Sequence, residues 1–75
     1  MEPKVGELYR HYKGKTYKVL AVALHSETQE KMVVYEGQYD DEELGHHPVF
    51  VRPYDMFFEH VIIDGKEVIR FNPIE

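Results

Sequence analysis

The segment Thr16-Tyr17-Lys18-Val19-Leu20-Ala21-Val22-Ala23-Leu24-His25-Ser26 divides into two alternating sets of side chains. One set is Tyr17, Val19, Ala21, Ala23 and His25; the other is Lys18, Leu20, Val22, Leu24 and Ser26. Both are largely apolar in the middle, which predicts a central β-strand, either covered on both sides or bent across a small barrel. Small side chains at Ala21 and Ala23 would ease close approach of a neighbour. Before this strand, Glu7 to Tyr12 reads as a partner joined through the turn Lys13-Gly14-Lys15, where glycine supplies the positive φ of a tight reversal.

After it comes the polar hexapeptide His25-Ser26-Glu27-Thr28-Gln29-Glu30, and then a second central strand over Glu30 to Tyr39. Met32 and Val34 fall on one face of that strand and Val33, Tyr35 and Tyr39 on the other, with a bend or bulge expected at Gly37. Asp40-Asp41-Glu42-Glu43 and Gly45-His46-His47-Pro48 break the alternation and read as a solvated loop. Val49-Phe50-Val51-Arg52 is a short strand stopped by Pro53, and Tyr54 to Phe58 can form one helical turn. Val61-Ile62-Ile63 and Glu67 to Phe71 flank Asp64-Gly65, the two-residue signature of a type I′ hairpin, and Asn72-Pro73 ends it. Five to six strands and one short helical turn cannot make two full sheets. Curling into a barrel is the economical way to remove exposed edges, so the expected fold is a mainly β, small SH3-like antiparallel barrel, one domain over residues 1–75.

A chain of 75 residues has a small core. Without cysteine it has neither disulfide nor thiolate metal centre, so packing must stabilise it, chiefly through six tyrosines and four phenylalanines. No apolar run approaches the ~20 residues that span a bilayer, and no leader pattern opens the chain, so the expectation is a cytoplasmic protein with no membrane partner. Nine Lys or Arg against 14 Asp or Glu give a net charge of −5, which disfavours a nucleic-acid partner. The five histidines would bring that charge to zero on full protonation, so net charge should vary steeply just below neutrality.

The ordered set Tyr9-Arg10-His11-Tyr12-Lys13-Gly14, His25-Ser26-Glu27-Thr28-x-Glu30, Val33-Val34-Tyr35, Val51-Arg52-Pro53, Met56-Phe57 and Arg70-Phe71 resembles a small bacterial family catalogued as domain of unknown function 1653. The resemblance runs from about Gly6 to Phe71. It implies an SH3-like barrel and no established activity. The polar positions it carries onto this chain are Arg10, His11, His25, Glu27, Thr28, Glu30, Arg52 and Arg70. Two departures stand out: Phe50 where a tryptophan is expected before Val-Arg-Pro, and Ile69 where a proline is expected before Arg-Phe. Phe50 keeps an aromatic face without the indole donor.

Those eight residues form the candidate ligand-binding set. His25 with Glu27 can be a polarised pair, or the hexapeptide can be a self-capped turn in which Ser26 and Gln29 match a capping pattern and Glu27 and Thr28 satisfy amides. Arg10, Arg52 and Arg70 sit beside aromatics and can form an internal ion-pair network with carboxylates or an anion-binding trio. His46-His47 lack a third ligand at a metal spacing, and adjacent strand residues face opposite ways, so no metal and no cofactor are assigned. The tyrosines can be a stacking platform or core filler, and Ser26 lacks the flanking glycines of a nucleophile elbow, so no catalytic residue is assigned. The preferred expectation is a non-enzymatic binding module, its polar rim taking a small polar ligand or a protein segment. The alternatives are a hydrolase or transferase using His25 with Glu27 or Glu30, and a homodimer formed through an edge near Val49 to Arg52.

Overall fold

The computed structural model describes residues 2–74. In chain order the elements are β1 (Leu8–His11), β2 (Thr16–Leu24), β3 (Lys31–Gly37), β4 (Asp40–Asp41), β5 (Gly45–His46), β6 (Val49–Pro53), α1 (Tyr54–Phe57), β7 (His60–Ile63), β8 (Lys66–Ile69) and β9 (Phe71–Pro73). Five strands form one antiparallel sheet in the order β6-β3-β2-β1-β9, while β4 with β5 and β7 with β8 are separate two-stranded hairpins. The architecture is mainly β with one short helix, as the alternation predicts.

The bend lies in β2. Val19 is opposite Tyr35 and the next pair is Ala21 with Val34, so Leu20 is an extra residue on β2. Such a bulge bends its strand and shifts the alternation by one. Before it, Tyr17 and Val19 share the inner face; beyond it Val22, opposite the fully buried Val33, lies on that side, and Ala21 and Ala23 fall on the other. The register thus divides the expected face of Tyr17, Val19, Ala21 and Ala23, although Ala21 and Ala23 stay half-buried and Val22 is 39% exposed; of the two options for this strand the bent one holds, since Leu24 is 66% exposed. At Gly37, where a bend or bulge is expected, β3 ends and the chain bends over Gln38 and Tyr39; the glycine also serves packing, since a Cβ there would stand 2.5 Å from Cε2 of Tyr39.

The core is Tyr9, Val19, Val33, Tyr35, Phe57 and Phe71, bordered by Tyr17, Phe50, Tyr54 and Phe58. Rings from both end strands meet the same central rings. Phe50 of β6 and Phe71 of β9 lie 5.6 and 5.4 Å from Tyr35, which is how far the sheet curls on itself. No ladder joins β6 to β9 among the described residues. α1 fills that gap, its Phe57 stacked on Phe71 at 4.4 Å and meeting Tyr35 edge to face at 5.6 Å. Burying such a ring is worth about 2–3 kcal/mol. The sheet is open in its hydrogen bonding along this line, where side chains alone bring β6 and β9 together, an arrangement compatible with an SH3-like barrel.

Three local readings change. Asp64 and Gly65 have φ of 51° and 78°, as a type I′ turn requires, but the hairpin's second strand stops at Ile69. The chain turns at Arg70, whose N–H donates to the Glu59 carbonyl (3.0 Å) and whose carbonyl accepts from Tyr12 N–H (2.9 Å), and Phe71 then pairs with His11 in the main sheet. The acidic loop folds back as β4 and β5, with Asp40 opposite His46; His47, at φ 46°, leaves the strand, so the two histidine rings stack at 4.0 Å instead of pointing apart. Pro53 ends β6 and caps the helical turn, which starts at Tyr54 as expected but stops at Phe57, one residue early.

Candidate functional site

The line between β6 and β9 carries the densest ionic cluster among the described residues. Arg52 is supplied by β6, Arg70 by the kink before β9, and Glu59 by the link from α1 to β7. Glu59 Oε1 accepts from Nη2 of Arg52 at 3.2 Å and forms an ion pair with Nη2 of Arg70 at 2.8 Å. Arg52 and Arg70 are thus brought together, as one of the two expectations for the arginines requires, but the acid between them is Glu59. It is not Glu27 or Glu30. The arginine side chains are only 23% and 21% exposed. Each guanidinium offers five N–H donors, and the Nε of both is enclosed without an acceptor. Two cations against one carboxylate leave a local positive charge in a chain of net −5.

His11 belongs to this cluster. It ends β1 on the inner face, its ring 4.9 Å from Phe71, and Tyr12 lies against it at 4.4 Å with the Arg70 guanidinium 5.9 Å above the tyrosine ring. Burial holds the His11 imidazole below its ordinary pKa, and Arg70, Lys13 and Arg52 add to that by repulsion. Its Nδ1 accepts from Lys13 N–H at 3.2 Å, so the neutral ring is built into the turn.

The hexapeptide turn stands apart. His25 N–H donates to the Glu30 carbonyl and Gln29 N–H to the His25 carbonyl, both at 2.8 Å. His25 Nδ1 accepts from the amides of Glu27 (3.2 Å) and Thr28 (3.3 Å), and Thr28 Oγ1 accepts from Glu30 N–H (3.2 Å). Gln29 takes φ 63°. The residues that cap the turn are therefore His25 and Thr28 rather than Ser26 and Gln29. The Glu27 carboxylate makes no bond to His25 among the described residues, and none links this turn to Arg10, Arg52 or Arg70. Met32 pairs with Pro53, so the turn lies beyond the end of β6.

Arg10 is on the other face. It pairs with Thr16 and Asn72 between the inward Tyr9 and His11, is exposed, and has no ion-pair partner among the described residues. It lines an open groove of about 630 Å³ bounded by Tyr12, Gly14, Val68, Ile69 and residues 72–74, with His11 shared between groove and cluster. Elsewhere, Tyr17 and Tyr39 join hydroxyls at 3.1 Å over the close approach at Gly37; burial, then this bond, pushes the Tyr17 hydroxyl well above the ordinary tyrosine range. Among the described residues no three His, Asp or Glu side chains gather as a metal site would need. Glu59 had no local signal: it is seven positions from Arg52 and eleven from Arg70, and only the kink at Arg70 makes the three neighbours.

No helix among the described residues is long and apolar enough to cross a membrane. No curated protein matches the chain. A solved structure of a DUF1653 protein from Bordetella bronchiseptica is similar, with 31% identity, a TM-score of 0.81, and coverage of 95% of this chain and 87% of that one. The model of the family described as protein of unknown function (DUF1653) matches residues 7–73, from the residue before β1 through the end of β9, and the chain belongs to that family.

Proposed function

We propose that this domain is a non-enzymatic binding module whose site is the closing line of the barrel, with Arg52, Arg70 and His11 taking an anionic group of a small polar ligand or a protein segment. One observation carries the reading: two guanidiniums converge on a single carboxylate oxygen, at 2.8 and 3.2 Å, and keep further donors and a net positive charge in an acidic chain. Arginine forks match planar or tetrahedral oxyanions, and the partial cover around the pair strengthens such bonds relative to open solvent. Glu59 holds the pair in place against mutual repulsion. The hexapeptide turn, whose His25 is engaged by its own amides, supports this reading better than an acid-base enzyme. A chain without cysteine suits a reducing compartment, and we place the module in the cytoplasm.

The test is a titration with succinate, against sodium chloride at matched ionic strength, following the ¹⁵N-labelled Nε–H signals of Arg52 and Arg70. Both signals shift selectively and saturate with succinate, and Arg52→Gln weakens the midpoint about tenfold or more while keeping a folded spectrum. Identical responses to succinate and chloride would sink the reading. A second reading, pairing of two copies through β6, is favoured by the position of that strand at the sheet edge with Val49 and Val51 each 57% exposed. Light scattering at rising concentration checks it.

A further inference from the structure

The groove that contains Arg10 lies beside the ionic cluster and shares His11 with it. Its walls are mainly apolar, built by Tyr12, Val68, Ile69, Pro73 and Ile74, with Arg10, His11 and Asn72 as polar members. Arg10 and Asn72 face each other across β1 and β9 and so project to the same side. Both are exposed. We infer that this groove receives an extended segment of a partner protein carrying alternating apolar and acidic side chains, with a carboxylate of the segment held by Arg10. The inference deepens the binding reading above and rests on it for the sign of the partner's charge.

The shape argues for a segment rather than an enclosed small molecule. Small-molecule sites bury most of their ligand, and a groove open to solvent along its mouth covers one side only of what lies in it. An extended chain fits that condition, because its side chains alternate between wall and solvent and its backbone offers donors and acceptors that an exposed amide such as Asn72 can meet. Charge selects the acid. Arg10 has no ion-pair partner among the described residues, and Lys13 and Arg70 add positive potential around the neutral His11. Lys15, in the same turn, is taken up elsewhere, its ammonium 4.2 Å over the Tyr39 ring and against the acidic run of residues 40–43. With the chain at −5 overall, an acidic partner is repelled over most of the surface and accepted here, which gives orientation as well as contact.

The probe is a fluorescein-labelled hexapeptide of alternating leucine and glutamate, with a leucine–lysine peptide of the same length as control, followed by anisotropy on the full chain. The acidic peptide binds and the basic one does not. Arg10→Ala weakens binding about tenfold or more with an unchanged melting temperature, because the side chain is exposed. Val68→Asp, which puts a like charge on the groove wall, abolishes binding. Equal binding of the two peptides, or acidic-peptide binding indifferent to Arg10→Ala, overturns the inference, as does octanoate occupying the groove with the same Arg10 dependence while the peptide fails. If succinate still moves the Arg52 and Arg70 signals but the acidic peptide does not bind, the groove assignment fails and the binding reading stands. If both probes are silent, both fall.

Discussion

Replacing Glu59 by glutamine removes one charge and almost no volume, at the point where the two ends of the open ladder meet. The carboxylate pairs with two guanidiniums at 2.8 and 3.2 Å, the longer contact being a hydrogen bond from Arg52, and the exposure of the three side chains, 36% for Glu59 against 21% and 23% for the arginines, places the trio between two limits. Enclosed hydrogen bonds to charged groups contribute about 1.5–3 kcal/mol each. Exposed ion pairs contribute about 0–1 kcal/mol. Discounting for solvent leaves about 1 kcal/mol per pair, hence about 2 kcal/mol for Glu59→Gln, part of it the repulsion between two arginines no longer neutralised. For a domain of this size that lowers the melting temperature by roughly 8–16 °C. Thermal unfolding by circular dichroism reads it, with Glu42→Gln in the exposed acidic run as a control that stays within about 0.5 kcal/mol. High salt should shrink the difference. In a double-mutant cycle Glu59→Gln and Arg70→Met should couple by at least about 0.5 kcal/mol. A drop of less than 2 °C, or strict additivity, would refute the claim that ions hold the closing line and leave the Phe57–Phe71 stack to hold it alone.

Three further outcomes follow from the same coordinates. The His11 imidazole, depressed first by burial and then by Arg70, Lys13 and Arg52, binds its proton less readily folded than unfolded, so its share of stability is complete above about pH 6.5 and is lost as pH falls through the lower folded value. Proton NMR should show its titration midpoint below that of a free histidine, and Arg70→Met should raise the midpoint only part of the way, because burial remains. Gly37→Ala places a Cβ 2.5 Å from the Tyr39 ring; displacing that ring should cost about 1–3 kcal/mol in urea unfolding and break the hydroxyl pair with Tyr17. Phe57→Ala removes the ring that bridges β3 and β9 and should cost about 3–5 kcal/mol, enough to leave a domain this small largely unfolded at 37 °C.

The sequence by itself determined β1, β2, β3, β6 and the β7–β8 turn, but not the β4–β5 hairpin or the separate strand β9. Alternation over Thr16 to Leu24 and Lys31 to Tyr35, glycine in the Lys13–Lys15 turn and Asp64-Gly65 are local signals, because side-chain period and backbone φ are set within a few residues. It also supplied the polar residues to watch, and the order of its motifs pointed to the family. Only the tertiary structure decided which of these residues meet. The Leu20 bulge flips the alternation of β2, the kink at Arg70 sends Phe71 to β1, and together they curl the sheet until β6 and β9 face each other across Phe57 and Glu59. Both events are one-residue choices of backbone that cost little locally and are fixed by what they bury and neutralise at a distance. That is why Arg52 and Arg70 joined a carboxylate no motif had marked, while His25, Glu27, Thr28 and Glu30, neighbours in sequence, stayed with one another.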